Sequence, residues 1–148
     1  MINIGAKAFE NCSSIESISL PFIGNKVDTT YVASSYYNCF GFIFGGNVSA
    51  NNKNYLPTTL KKVKITGESI ITTSSFEQCD YIEEIELSDN VIYIESLAFR
   101  YCDKLKSVII GNGVKTEACN ALTHPFFNYT VFAHNEFFIR FIIGHNSW

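Results

Sequence analysis

One spacing governs what this 148-residue chain can fold into. "AFENCSSIESISL" at 8–20, "SFEQCDYIEEIEL" at 75–87 and "AFRYCDKLKSVII" at 98–110 each place a Cys three residues after a Phe, with aliphatics three, six and eight residues beyond the Cys. A fourth copy, "LPTTLKKVKI" at 56–65, keeps Leu60, Val63 and Ile65 but has no Cys. Upstream, Ile4, Ile71 and Ile94 each precede the Phe by five residues. The last aliphatics, Leu20, Ile65, Leu87 and Ile110, are separated by 45, 22 and 23 residues. The repeat is therefore about 23 residues long, and 45 reads as about two periods, with a degenerate or inserted repeat at 21–55.

Aliphatics two residues apart point to the same side of an extended segment, so each unit contributes one short strand. A single unit has too little apolar surface to bury its inward face, whereas units stacked in register cover one another with a continuous parallel sheet. The predicted fold class is an α/β solenoid, with short parallel strands on one face and short helical or 3-10 turns, carrying Phe and Cys, on the other. The whole chain has the length of a single domain with a real core.

These columns resemble the BspA-like class of leucine-rich repeats, whose units read I-G-x-x-A-F-x-x-C-x-x-L-x-x-I-x-I-P. "IGAKAFENCSSIESISLP" at 4–21 matches almost throughout, and "IESLAFRYCDKLKSVII" at 94–110 departs mainly at Glu95. The sequence "LPFIG", "FGFIFG", "YLPTTLKKVKITG" is similar to a variant of the same class. The resemblance covers residues 4–114. It implies a leucine-rich repeat fold, a place at the cell surface or in secreted material, and a role in adhesion and binding.

Composition narrows the partners. Net charge is −3 and the lysines and arginines are scattered apart from Lys61, Lys62 and Lys64, so no basic field awaits nucleic acid. No stretch approaches the roughly 18 apolar residues of a membrane span, and no signal-like start is present. The chain opens inside a repeat, which suggests a piece of a longer protein.

Catalysis and cofactor binding find no footing, and neither is expected. Cys12, Cys79 and Cys102 share one repeat column and are expected to be buried, reduced and core-filling. Paired Cys at metal-site spacing is absent, so no metal is expected. Cys39 and Cys119 lie off the column and are the better candidates for a bridge or a reactive thiol. His124, His134 and His145 all fall in the carboxy-terminal tail, without a metalloprotease or nucleophile signature. Gly45-Gly46 reads as a turn. Asn11-Cys12-Ser13, Asn47-Val48-Ser49 and Asn128-Tyr129-Thr130 fit the glycosylation pattern, a motif short enough to arise by chance.

The candidate binding face is the solvent side of the sheet: Ser17 and Ser19, Lys62 and Lys64, Glu84 and Glu86, Ser107 and Ile109. Stacking places Lys62 beside Glu84 and Lys64 beside Glu86, with Ile109 exposed at one end. Such pairs read first as register-fixing contacts worth about 0.2–1 kcal/mol each, and second as part of a binding stripe. Residues 21–55 add candidate contacts at Tyr31, Tyr36 and Tyr37. Within them, Phe40, Phe42 and Phe44 alternate, which favours a strand with its aromatics inward.

The repeat region spans 1–114. Residues 115–148 hold eight aromatics but four charged residues, and Pro125 and Asn128 replace the Cys and the first aliphatic. Two readings stand: a cap in which "YTVFA" and "FFIRFII" add terminal strands, or a segment foreign to the repeats, such as a frame-shifted product. The expected function is a non-enzymatic protein-binding or adhesion module for a protein or cell-surface ligand. The alternative is a structural spacer with no ligand of its own.

Overall fold

The computed structural model describes residues 3–25, 39–47, 49–114 and 130–133. Each copy of the spacing folds into a turn carrying Phe followed by a four-residue strand. The strands are β1 (Ser17–Leu20), β2 (Lys62–Ile65), β3 (Ile70–Ile71), β4 (Glu84–Leu87), β5 (Tyr93–Ile94), β6 (Ser107–Ile110) and β7 (Thr130–Ala133). They form a five-stranded sheet in the order β1-β2-β4-β6-β7, parallel at every step, and a two-stranded sheet, β3-β5. The strands alternate in burial as their sequence alternates. Val63 and Ile65, Ile85 and Leu87, and Val108 and Ile110 point inward and are buried, while the residues between them face outward. Burying one such side chain fully is worth about 1.5–3 kcal/mol, and the stacking of neighbours is what buries it.

The smaller sheet explains the Ile column upstream of each Phe. Ile71 and Ile94 pair in parallel, so the chain crosses from one strand of the large sheet to the next through a second, shorter ladder. The Phe turns that follow differ from the helical or 3-10 turns expected. In the three regular copies the residues two before and two after Phe have positive φ: Lys7 and Asn11, Ser74 and Gln78, Leu97 and Tyr101. Two left-handed residues on either side of Phe wrap the backbone around the ring. Asn is at ease there, while the other five side chains carry a steric cost of about 1–2 kcal/mol each.

The region expected to hold a strand at "FGFIF" holds a 3-10 helix instead, Phe40–Phe44, with all five residues buried. Alternation of Phe therefore carried no information about a wet and a dry side. The helix ends at Gly45, whose φ of 106° is open to glycine, and the Gly46 N–H returns to the Gly41 carbonyl at 2.8 Å. Phe40 and Phe44 join the ring column of the regular copies. Centroid distances run 5.8 Å for Phe9–Phe44, 5.7 Å for Phe44–Phe40, 5.1 Å for Phe40–Phe76 and 5.6 Å for Phe76–Phe99, all within the range of favourable ring contacts.

β1 pairs directly with β2, matching Ser17 to Lys62 and Leu20 to Ile65. The 45-residue interval thus advances the sheet by one strand, where the period predicted two. A second 3-10 helix, Ser49–Asn54, lies in this interval. Its buried Asn52 accepts the Gly41 N–H at 2.8 Å and donates to the Glu77 carbonyl at 2.7 Å. A Cβ at Gly41 would sit 2.5 Å from the Asn52 Oδ1, so glycine is required for this contact. Thr59 completes the anchoring by donating to the Ser13 and Ile15 carbonyls.

The first unit is covered on one side only. Ile4, Phe9, Ile15 and Ile18 are half-buried against the core, and Cys12, expected to be buried, is exposed. Cys79 and Cys102, with a unit on each side or a wall above them, are buried. At the other end β7 matches Val131 to Val108 and Ala133 to Ile110, a 23-residue step that continues the repeat where its other columns have faded. "FFIRFII" lies outside the described residues.

Candidate functional site

The outward face of the large sheet is a grid of two rows. One reads Ser17, Lys62, Glu84, Ser107, Thr130 and the other Ser19, Lys64, Glu86, Ile109, Phe132 in register. Strand alternation puts every second residue on this face, and the repeat length holds the rows in line. The eight residues singled out from sequence as a binding face are therefore brought together on adjacent strands. Phe132 was missed, because the tail had lost the Phe and Cys columns. The signal that could have found it is the 23-residue step from Val108 and Ile110 to Val131 and Ala133.

The centre of the grid neutralises itself. Lys62 Nζ lies 3.6 Å from Glu84 Oε1, and Lys64 Nζ donates to Glu86 Oε1 at 2.6 Å. Just before the strands, Glu83 lies between Lys61, at 3.8 Å, and Lys106, with which it forms a short ion pair. The Lys106 hydrogen bond is the main cause holding the Glu83 carboxyl below its ordinary pKa. Surface pairs of this kind add little stability individually. Their effect on the face is larger: strands of opposite sign alternate, so no field of one sign is left to attract a highly charged partner.

Beyond the charged centre, Ile109 is half-buried, less exposed than expected, because it sits in line between Glu86 and the β7 position of Phe132. A groove of about 370 Å³ opens at the carboxyl ends of the strands between Lys64, Glu86, Asp89 and Ile109. Its polar groups are already engaged. Asp89 Oδ1 accepts the Asn112 N–H at 2.7 Å, and Ser88 Oγ and Asn90 Nδ2 donate to the Thr66 carbonyl.

The thiols do not make a reactive centre. Burial pushes Cys39 up to about 11 and Cys79 well above its ordinary value, the latter helped by a hydrogen bond with Cys102. Cys102 Sγ also donates to the Phe76 carbonyl at 3.0 Å. Cys39, read from sequence as off the column, stands within electrostatic reach of Cys79. A thiol whose pKa is raised holds little thiolate and is a poor nucleophile. Cys12 lines a cleft of about 230 Å³ with Phe44, Tyr55 and Pro57, where no base accompanies it among the described residues. Among those residues no group of three His, Cys, Asp or Glu side chains could hold a metal ion, and no helix is long and apolar enough to cross a membrane. Tyr31, Tyr36, Tyr37, Cys119 and the three histidines lie outside the described residues.

A family model described as BspA type leucine-rich repeat region (6 copies) matches residues 1–70. The parallel strands and short 3-10 turns are compatible with a leucine-rich repeat fold. No curated protein and no solved structure matches the chain.

Proposed function

For a chain whose residues 1–70 form a BspA-type leucine-rich repeat region, we propose a non-enzymatic protein-binding module that works in adhesion at a cell surface or in secreted material. Leucine-rich repeats in general suggest protein interaction. The observation that carries the reading to this chain is the outward grid, an unbroken register of five strands whose row grades from Ser19 through the Lys64–Glu86 pair to Ile109 and the Phe132 position. A polar, charge-compensated centre beside an apolar end is the pattern of a rim beside a core in a non-obligate interface. The units stack as a solenoid, and residues 115–148 continue it through β7 and close its end.

A spacer with no ligand is the second reading, favoured by the same ion pairs, since a face whose charges are spent on one another suits a solvated wall. Beads coated with the full chain and applied to cell monolayers separate the two. Binding by the unmodified chain that is lost in Ile109→Glu and reduced in Lys64→Ala/Glu86→Ala supports the module. Absence of binding by every form supports the spacer, and undiminished binding by all of them removes the grid as the site.

A further inference from the structure

Every inner strand of the large sheet is paired on both sides, but among the described residues β1 is paired on one side alone. Its hydrogen bonds to β2 run through Glu16 and Leu20, whose carbonyls accept from Lys62 and Thr66. In a parallel ladder alternate residues serve one neighbour, so the N–H and C=O groups of Ser17 and Ser19 are directed to the open side. Exposed edges of this kind are ordinarily blunted by Lys, Pro or a bulge. Ser17–Leu20 contains none of these, and Pro21 follows only after the strand has ended.

The layer beneath is open on the same side. Ile4, Phe9, Ile15 and Ile18 are packed against the core on one flank and half-exposed on the other. An edge with free backbone groups and an apolar underside needs an occupant that brings both. The outward row selects which. β2 presents Lys62 and Lys64, and β4 presents Glu84 and Glu86, so either would meet like charge if placed against its own copy. β1 presents Ser17 and Ser19, which would not.

We propose that β1 is a self-association edge, through which two copies of the chain join antiparallel about a two-fold axis at Ile18. In this register Ser17 faces Ser19 of the second copy and Ile18 faces Ile18 of the second copy. The two Ser17–Ser19 pairs are hydrogen-bonded pairs, each exchanging two N–H to C=O bonds, and Ile18 occupies the close, non-hydrogen-bonded position between them. Glu16 falls opposite Leu20 of the second copy, so no carboxylates are opposed. The two half-buried layers meet like with like, as a two-fold interface requires. The assembly closes at two, because the paired edge is used once by each chain.

The test is sedimentation velocity on the full chain over a wide concentration range. The unmodified chain is expected to pass from monomer to dimer with no larger species. Ser17→Lys/Ser19→Lys opposes like charges across both pairs and is expected to stay monomeric where the unmodified chain is dimeric, with the circular dichroism melt unchanged. Ser17→Lys/Ser19→Glu sets opposite charges against each other in this register, and is expected to restore the dimer in low salt and lose it in high salt. A monomer at every concentration overturns the proposal. So does growth beyond the dimer, which would mean head-to-tail stacking of β1 on another copy's far end. Association that is indifferent to both double substitutions also overturns it. Ser19→Pro, which removes one outward N–H and no bond to β2, gives an independent check by weakening the dimer at least tenfold.

Discussion

Asn52 and Gly41 are joined by a buried hydrogen bond of 2.8 Å that ties the long connection between β1 and β2 to the aromatic column. The same Asn52 amide donates to the Glu77 carbonyl at 2.7 Å, in the turn of the next unit. One side chain thereby satisfies backbone groups on two separate segments that would otherwise be buried unpaired. Asn52→Ala is expected to cost about 2–3 kcal/mol, since two buried partners lose their bonds. Asn52→Asp should fare no better, because it keeps the acceptor for Gly41 and loses the donor for Glu77. Urea denaturation midpoints at constant slope would measure both, and a midpoint unchanged in either variant would show that the anchor contributes nothing.

The paired left-handed residues around each Phe give a prediction of opposite sign. Gln78 has φ of 58° and its backbone N–H donates to the Arg100 carbonyl at 2.8 Å. Gln78→Gly keeps that bond and removes the Cβ clash, and is expected to stabilise the fold by up to about 1 kcal/mol after the entropic cost of glycine is offset. A lowered thermal midpoint would mean that the Gln78 side chain matters more than its backbone.

Thiol accessibility and pH should follow burial. Cys12 is expected to alkylate in the native chain, with Cys39, Cys79 and Cys102 protected until unfolding, as peptide mapping by mass spectrometry would show. The Cys39 thiol, ordinarily near 9.0, is raised to about 11 in the fold. Below pH 9 the proton is held in both states and the stability is fully present. Between 9 and 11 the unfolded chain releases the proton while the folded chain keeps it, so stability falls as pH rises through that window. Cys79, raised in the same direction, adds to the loss. Thermal midpoints that stay level from pH 8.5 to 10.5 would contradict this, and Cys39→Ala should flatten part of the slope.

Removal of 116–148 takes away β7 and its parallel pairing with β6. The expected result is a lower melting temperature and a stronger tendency to aggregate, because β6 becomes an unprotected edge. A truncated chain that melts at the same temperature and stays dispersed would deny the tail any capping role.

The pairing of Lys62 with Glu84 and of Lys64 with Glu86 was legible in the sequence because a repeat of fixed length turns linear spacing into lateral position. The short ladder of Ile71 and Ile94 was visible as a column yet unread as strand, since two residues are too few to show a period. Phe40, Phe42 and Phe44 misled for a different reason. Alternation distinguishes strand from helix only when one side faces water, and here every residue from 40 to 44 is buried. The left-handed turns at Lys7, Gln78 and Leu97 had no local signal, because their side chains prefer other conformations and it is stacking that holds them. At the face, sequence placed all eight outward residues but could not tell that the lysines and glutamates would spend their charge on one another, or that β1 would be left with an open side.

The long connection between β1 and β2 leaves the register of Ser17 against Lys62 undisturbed. The framework counts strands and is indifferent to how much chain passes between them, provided that the aromatic column is refilled and a side chain such as Asn52 fastens the excess. Length can therefore change at this point over evolutionary time, by gain or loss of whole segments, while the walls on either side keep their alignment. The same connection is a natural port for grafting a foreign loop onto the array.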